Sequence, residues 1–342
     1  MTPSRYLADV LDQPRALSVL LDTAPAVLAV QEAVDLARRP RVILSGMGSS
    51  HYATFGLWQQ LIRLGIPAWW VETGQLLDAI DGLVVPGSLL WLTSQSGESA
   101  ETVAVLERIA APRVDVVAVT NNPGSTLGQA AHTLIDLCAG DEATVSTKSY
   151  LNSLAVVRLA AAGLTGDAEA ALSSLRTTVD AVEAYLRRIG DHVDALSGFA
   201  RDRHVLLTGR GSAAASAQAA GLVLKEAAKL PVEGMSAGAL RHGVIELAGP
   251  GLAVVFFDHA EGVHRDQNVR LASELASAGT QVGWVGDAEV AGQDRLPAPI
   301  GEGVDAAIRD AVAFQTLSFE LARRSGVTAG SFAFASKVTA TL

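Results

Sequence analysis

A single cysteine, Cys138, stands in 342 residues, so no intrachain disulfide can form and a stapled secreted scaffold is excluded. Apolar stretches such as 89–92 and 252–257 stop well short of the roughly 18 residues that a membrane-spanning helix requires. Positive charge is scarce: 26 Lys and Arg stand against 36 Asp and Glu, a formal charge of −10. No general field attracts a phosphate backbone or an anionic bilayer, so nucleic acid and membrane are not expected partners. The opening MTPSRYLADV lacks the basic start and apolar core of a secretory signal, and with the lone thiol this points to a reducing cytoplasm. What remains is 49% hydrophobic and 18% charged, a composition that folds, at a length that suits about two domains of roughly 150 residues.

The chain repeats itself. VILSGMGS at 42–49 is echoed by VLLTGRGS at 205–212, Ile66-Pro67 by Leu230-Pro231, and Pro86-Gly87 before SLLWLT by Pro250-Gly251 before LAVVFF, all in nearly one register. A period near half the chain means two similar domains and not a solenoid. In each half short β-branched apolar runs alternate with helical patterns, the mark of a parallel sheet with crossover helices. Strands are expected near 41–45, 68–71, 88–93, 115–120, 204–208, 251–257 and 280–285, and helices near 52–64, 99–110 and 125–131. A helix bridges the halves over 166–200, and another runs from 306 to 324 and ends at Ser325-Gly326. The fold class is α/β, two tandem flavodoxin-like parallel sheets flanked by helices.

The loop Ser94-Gln95-Ser96-Gly97-Glu98-Ser99 is the strongest functional signal. It follows a buried strand and precedes a helix, so its hydroxyls and the unpaired N–H groups of the helix start suit a phosphate dianion. Ser49-Ser50 and Ser146-Thr147 are further hydroxyl clusters after strands, where open α/β sheets bind ligands. Any one cluster reads more readily as helix capping than as a site; all three together reverse that preference. After LAVVFF the second half has DHAEGV, carboxylates in place of hydroxyls, so one phosphate site per chain is expected, in the first half. The segment 209–214, GRGSAA, loosely fits a dinucleotide fingerprint, but Glu226 lies inside the following helix and Glu233 after a short segment, and no cofactor is expected. The segment 258–264 imitates metal spacing without a second ligand group, so no metal is expected. Glu226 and His242 form an acid/base pair of candidates, Cys138 reads as buried filler, and Lys337 is the lone charge of an apolar tail, either snorkelling or held where desolvation suits carbonyl chemistry.

SQSGESAET (94–102), GMGSSHYA (46–53), TNNPGSTL (120–127) and VSTKSY (145–150) resemble the sugar isomerase (SIS) domain family. The stretch 209–243 resembles the isomerase half of glucosamine-6-phosphate synthase and its phosphosugar isomerase and deaminase relatives. The resemblance implies an N-terminal helical segment (1–35), a first SIS domain (36–165), a linking helix (166–200), a second SIS domain (201–325) and a tail closing the active site (326–342). It implies phosphate contacts by Ser50, Ser94, Gln95, Ser96 and Ser99, and sugar contacts by Gly48, Ser49 and Ser146. It further implies Glu226 as the base between C1 and C2, His242 as the ring-opening group lent by a partner subunit of a homodimer, and Lys337 as the amine facing the sugar carbonyl. Val223, Ala239 and Val244 depart from the family pattern, and 141–145 is one residue shorter than its usual loop. With no glutamine-hydrolysing domain in the sequence, glutamine-dependent amination by this chain alone is not expected. The expected activity is isomerisation or deamination of a hexose or amino-hexose 6-phosphate through an enediol(amine). The alternatives are a non-catalytic sugar-phosphate sensor and, fitting the loop poorly, a structural dimer.

Overall fold

The computed structural model describes residues 4–109, 114–259, 263–287, 290–334 and 336–339. They divide into two compact units that interleave along the chain, 15–176 with 332–342, and 1–14 with 177–331. The first carries β1 (Val42–Gly46), β2 (Ala68–Trp70), β3 (Leu89–Thr93), β4 (Asp115–Thr120) and β5 (Thr133–Asp136) in the order β2-β1-β3-β4-β5, with every pairing parallel. β1 and β3 are buried at every residue, which is why VILSG and LLWLT run apolar without alternation: helices cover both faces of a parallel sheet. Ile43, Leu90, Leu92 and Val116 pack against Leu76 and Ile80 of helix Thr73–Leu83 and Val105 of helix Ala100–Ile109. Each such side chain contributes about 1.5–3 kcal/mol by leaving water.

The second unit repeats the plan with β6 (His204–Gly209), β7 (Glu233–Ser236), β8 (Leu252–Phe257), β9 (Gln281–Val285) and β10 (Asp294–Arg295). Their order is β7-β6-β8-β9-β10, again parallel throughout, so the duplication seen in sequence is a duplication of topology. In register, Gly46 pairs with Thr93 in one sheet and Gly209 with Phe257 in the other. The carboxyl ends of neighbouring strands thus finish together, and each sheet presents its loops at one edge.

Several expected elements differ in detail. The helix read over 52–64 is two, Ser49–Ala53 and Phe55–Arg63, with the break at Thr54. The bridging helix over 166–200 is also two, Ala168–Leu186 and Ile189–Ala195. Helix Thr73–Leu83 escaped notice because Gly74 and Gly82 blur its apolar period. β5, β7 and β10 did so because they are two to four residues long and only partly covered. Helix Ala306–Arg324 begins at Asp305, whose carboxylate accepts from the N–H groups of Ala307 and Ile308 at 3.0 and 3.1 Å, and it ends at Ser325-Gly326 as read. Cys138 is half-buried, in a left-handed conformation with φ +51°, its N–H donating to Asp136, so it belongs to a turn and not to the core filler expected. Burial first, then the Asp136 charge, pushes its thiol up, away from an activated nucleophile.

Candidate active site

The loop that leaves β3 is held by its own hydroxyls. Ser94 Oγ accepts from the Gly97 N–H at 3.1 Å and Ser96 Oγ from the Glu98 N–H at 3.2 Å, while the Ser99 and Thr102 hydroxyls lie 2.7 Å apart. A serine oxygen that accepts a backbone N–H still carries its own O–H, so Ser94 and Ser96 remain able to donate to an anion. Gly97 has φ +66°, and a Cβ there would stand 2.0 Å from Ser125 Oγ, so no other residue fits without moving the wall. The loop is clamped to TNNPGSTL from the β4 side: Asn121 N–H donates to the Gln95 carbonyl, and Leu127 N–H to the Gly97 carbonyl. Thr126 donates through N–H and hydroxyl to the Glu98 carboxylate at 2.7 and 2.8 Å. Glu98 therefore braces the loop and is not aimed at a phosphate. Helix Ala100–Ile109 starts at its end, with Glu101 in its first turn.

Gly48, with φ +51°, turns the chain from β1 into helix Ser49–Ala53, which puts buried Ser49 and half-buried Ser50 at the first turn of that short helix. His51 behind them is buried and stacked on Trp70, ring centroids 3.9 Å apart, and burial pushes its imidazole down to about 4.

The tail 336–339 belongs to this same unit and fastens at two points. The Thr339 carbonyl accepts from the N–H of Ala100, the first residue of the helix after the serine loop. Lys337 Nζ donates to Glu142 Oε2 at 2.9 Å and to the Thr144 carbonyl at 2.5 Å. Glu142, whose side chain is fully buried, also accepts from the N–H and hydroxyl of Thr147 and of Ser149, and so caps helix Lys148–Thr165. Burial pushes its carboxyl up, but the Lys337 ammonium, the Thr147 N–H and the Ser149 hydroxyl together outweigh that and hold it below the usual carboxylate range. Lys337 is thus a counter-ion at a buried carboxylate, a third arrangement beside the two expected for it. Ser146 is half-buried between this cluster and the helix, and the buried Thr144 hydroxyl has no partner among the described residues.

In the second unit Glu226 sits two residues before the end of helix Ala213–Ala228, half-buried. The helix lies unusually close on β7: a Cβ on Gly234 would stand 1.8 Å from the Ala217 carbonyl, so only glycine permits the crossing that fixes Glu226. Its charge reaches Tyr6, buried against the Ser318 hydroxyl at 2.6 Å; burial, and secondarily Glu226, push that phenol up. Ser236 caps helix Ala237–Arg241, and exposed His242 closes it with Nδ1–H donating to the Gly238 carbonyl at 2.8 Å, leaving Nε2 free to accept. In the segment that imitated a metal site, the Asp258 carboxylate is taken by Arg265 and Asn268 at 3.1 and 3.3 Å. Glu261 lies outside the described residues. Among those described, no group of three His, Cys, Asp or Glu is placed to hold a metal ion.

A sequence profile of the SIS domain matches residues 35–163 and 198–282. The chain belongs to the SIS domain family. It is 30% identical over 260 residues to glutamine–fructose-6-phosphate aminotransferase (isomerizing) of Pyrococcus horikoshii, covering 73% of this chain and 42% of that protein. It is 30% identical over 298 residues to the same enzyme of Caulobacter vibrioides, covering 82% and 48%. The chain thus spans about half the length of the curated relatives it matches or less. Among solved structures, the C-terminal domain of glucosamine-fructose-6-phosphate aminotransferase from Francisella tularensis superposes with TM-score 0.83 at 21% identity, over 95% of this chain and 97% of that one. Tagatose-6-phosphate ketose/aldose isomerase from Escherichia coli gives 0.83 at 20% identity over 97% of each, which shows the shared fold.

Within this SIS chain the sequence did not reveal Glu142, the buried partner of the candidate Lys337. Its only advance signal was Lys337, a lone cation in an apolar tail that calls for a counter-ion, but the two lie 195 residues apart.

Proposed function

We propose that this SIS protein is a cytoplasmic, homodimeric enzyme that isomerises a hexose 6-phosphate, or deaminates an amino-hexose 6-phosphate, through an enediol(amine). The serine loop 94–99 carries the reading: it ends on a helix start, its Ser94 and Ser96 hydroxyls keep O–H groups to donate, and relatives in the family are named for fructose 6-phosphate. Ser50, Ser94, Gln95, Ser96 and Ser99 hold the phosphate in this reading; Gly48, Ser49 and Ser146 line the sugar. Glu226 is the base that moves a proton between C1 and C2, work worth roughly 10²- to 10⁴-fold for a positioned carboxylate. His242, lent by the partner subunit, opens the ring. Lys337, paired with Glu142, faces the developing oxyanion as a cation, or as a free amine forms an imine with the carbonyl.

The test is a panel of hexose 6-phosphates and amino-hexose 6-phosphates assayed for turnover, with ammonia measured in parallel. At least one should be consumed. Borohydride added during turnover should leave a sugar adduct on Lys337 for the imine route and none for the cation route, with Lys337→Met impairing turnover in both. Mixing Glu226→Gln with His242→Ala protein should restore activity through hybrid dimers; absence of recovery after subunit exchange argues that each chain completes its own site. Binding of the panel without turnover of any member would convert the reading to a sensor.

A further inference from the structure

The second unit contains a Ser–His–Asp relay that the phosphosugar reading does not use. Ser212 follows the β6 turn Gly209-Arg210-Gly211 and stands at the N-cap of the sixteen-residue helix Ala213–Ala228. A serine there ordinarily turns its hydroxyl onto its own helix, yet Ser212 makes no side-chain cap bond. Its Oγ lies instead 3.0 Å from His259 Nδ1, in the segment after β8. The other ring nitrogen, Nε2, lies 2.5 Å from Asp310 Oδ2 on helix Ala306–Arg324. The ionised carboxylate only accepts, so Nε2 carries the proton and Nδ1 offers its lone pair to the Ser212 hydroxyl. His259 is 10% and Asp310 0% exposed at the side chain. Asp310 is fixed from its far side by Arg309, whose Nη2 donates to Oδ1 at 3.2 Å and to the Asp258 carbonyl at 2.8 Å. Hydroxyl, base and orienting carboxylate thus come from three elements of one unit, with the base largely covered and the carboxylate locked. That is the arrangement that activates a serine, recognised by geometry and not by sequence position.

We propose that Ser212, His259 and Asp310 form a second reactive site, a nucleophilic serine that cleaves short acyl esters. The hydroxyl oxygen attacks the ester carbonyl carbon while its proton passes to His259 Nδ1, and Asp310 stabilises the resulting imidazolium. The carbon–oxygen bond to the alcohol then breaks, the alcohol leaves with the proton from His259, and an acyl-serine remains. Water, deprotonated by the same imidazole, attacks that acyl carbon; the carboxylic acid leaves and Ser212 regains its proton. Ester plus water becomes acid plus alcohol, and no cofactor enters. The first N–H groups of a helix have no partner within it, so the N–H of Ala213, next to the serine, is the donor for the developing oxyanion. Ala213 and Ala214, which follow the serine, carry nothing larger than a methyl to grip a long chain, so the class is a short acyl ester.

Full-length protein is incubated with a fluorophosphonate probe, followed by peptide mass spectrometry, and with p-nitrophenyl acetate. The expected result is an adduct on Ser212, absent in Ser212→Ala and at least tenfold slower to form in His259→Gln and Asp310→Asn, with acetate release falling in step. Ser212→Ala removes a hydroxyl that caps nothing, so it should fold and should turn over the sugar phosphate at the parent rate; failure here therefore leaves the phosphosugar reading standing, and the reverse holds too. Absence of the Ser212 adduct in folded protein, or an adduct whose rate is unchanged in His259→Gln, overturns the proposal.

Discussion

The segment after β3 and the segment after β8 occupy equivalent strand ends of two sheets with the same strand order, 164 residues apart, yet they are wired for different chemistry. After β3, Ser94 and Ser96 accept backbone N–H groups and Glu98 is spent bracing the neighbouring loop. After β8, Asp258 is taken by Arg265 and Asn268, and His259 links Ser212 to Asp310. Duplication thus carried the geometry of the strand end from one half to the other, while side chains at a few positions decided whether it presents a row of hydroxyls or a base facing a hydroxyl. The chemistry lives in those side chains and the scaffold only aims them.

If the proposed sugar-phosphate site and the Ser212 relay are independent in this way, changes to one should leave the other untouched. The largest separation is expected from Glu226→Gln, which keeps volume and most hydrogen bonding but removes the base. Turnover of the accepted sugar phosphate should fall by roughly 10²- to 10⁴-fold with binding retained and with Ser212 labelling unchanged. A parent rate in steady-state assays would remove Glu226 from the mechanism. Next in size is Gly97→Ala. Its Cβ would meet Ser125 Oγ at 2.0 Å with φ +66°, so thermal unfolding should show a loss of about 1–3 kcal/mol, and sugar-phosphate affinity should drop as the loop shifts. A fully stable variant with parent affinity would show that the loop is not built as described.

Acid titration separates two further groups by the pH window in which each loses its contribution. Glu142 is held below the usual carboxylate range in the folded protein, so its contribution is complete above the unfolded value near 4.5 and is lost as pH falls through the lower folded value. His51 is pushed down to about 4. In the unfolded chain it protonates near 6.5, so between about 6.5 and 4 the unfolded state binds a proton that the folded state refuses, and stability falls as pH drops through that window. Denaturant titrations of His51→Phe, which keeps the stack on Trp70, should lose the 6.5-to-4 component alone, and those of Glu142→Gln the more acidic one. If both variants keep the parent pH profile, neither burial nor the Lys337 pair acts as described.

The two-sheet architecture was readable from the repeat because buried parallel strands announce themselves as apolar runs and fix the positions of Gly46, Gly209, Ser94 and Asp258 at once. Short strands such as Asp294–Arg295, with both residues exposed, leave no such trace. The serine loop was visible because its residues are contiguous. Glu142 with Lys337, and Ser212 with His259 and Asp310, were not, since residues brought together across 195, 47 and 51 positions become partners only through the fold. His259 was noticed as a metal-like spacing, a pattern in one dimension that the third dimension reassigns.

The most direct measurement is calorimetric titration of the full chain with a sugar phosphate that it turns over and with the same sugar lacking phosphate, repeated for Ser96→Leu and Ser212→Ala. If the loop after β3 is the phosphate cradle, the parent binds only the phosphorylated sugar. Ser96→Leu should then weaken that binding by roughly tenfold or more, the worth of a hydrogen bond to a charged group, while Ser212→Ala leaves it unchanged. Equal affinity for the two sugars, or parent affinity in folded Ser96→Leu protein, would contradict the assignment.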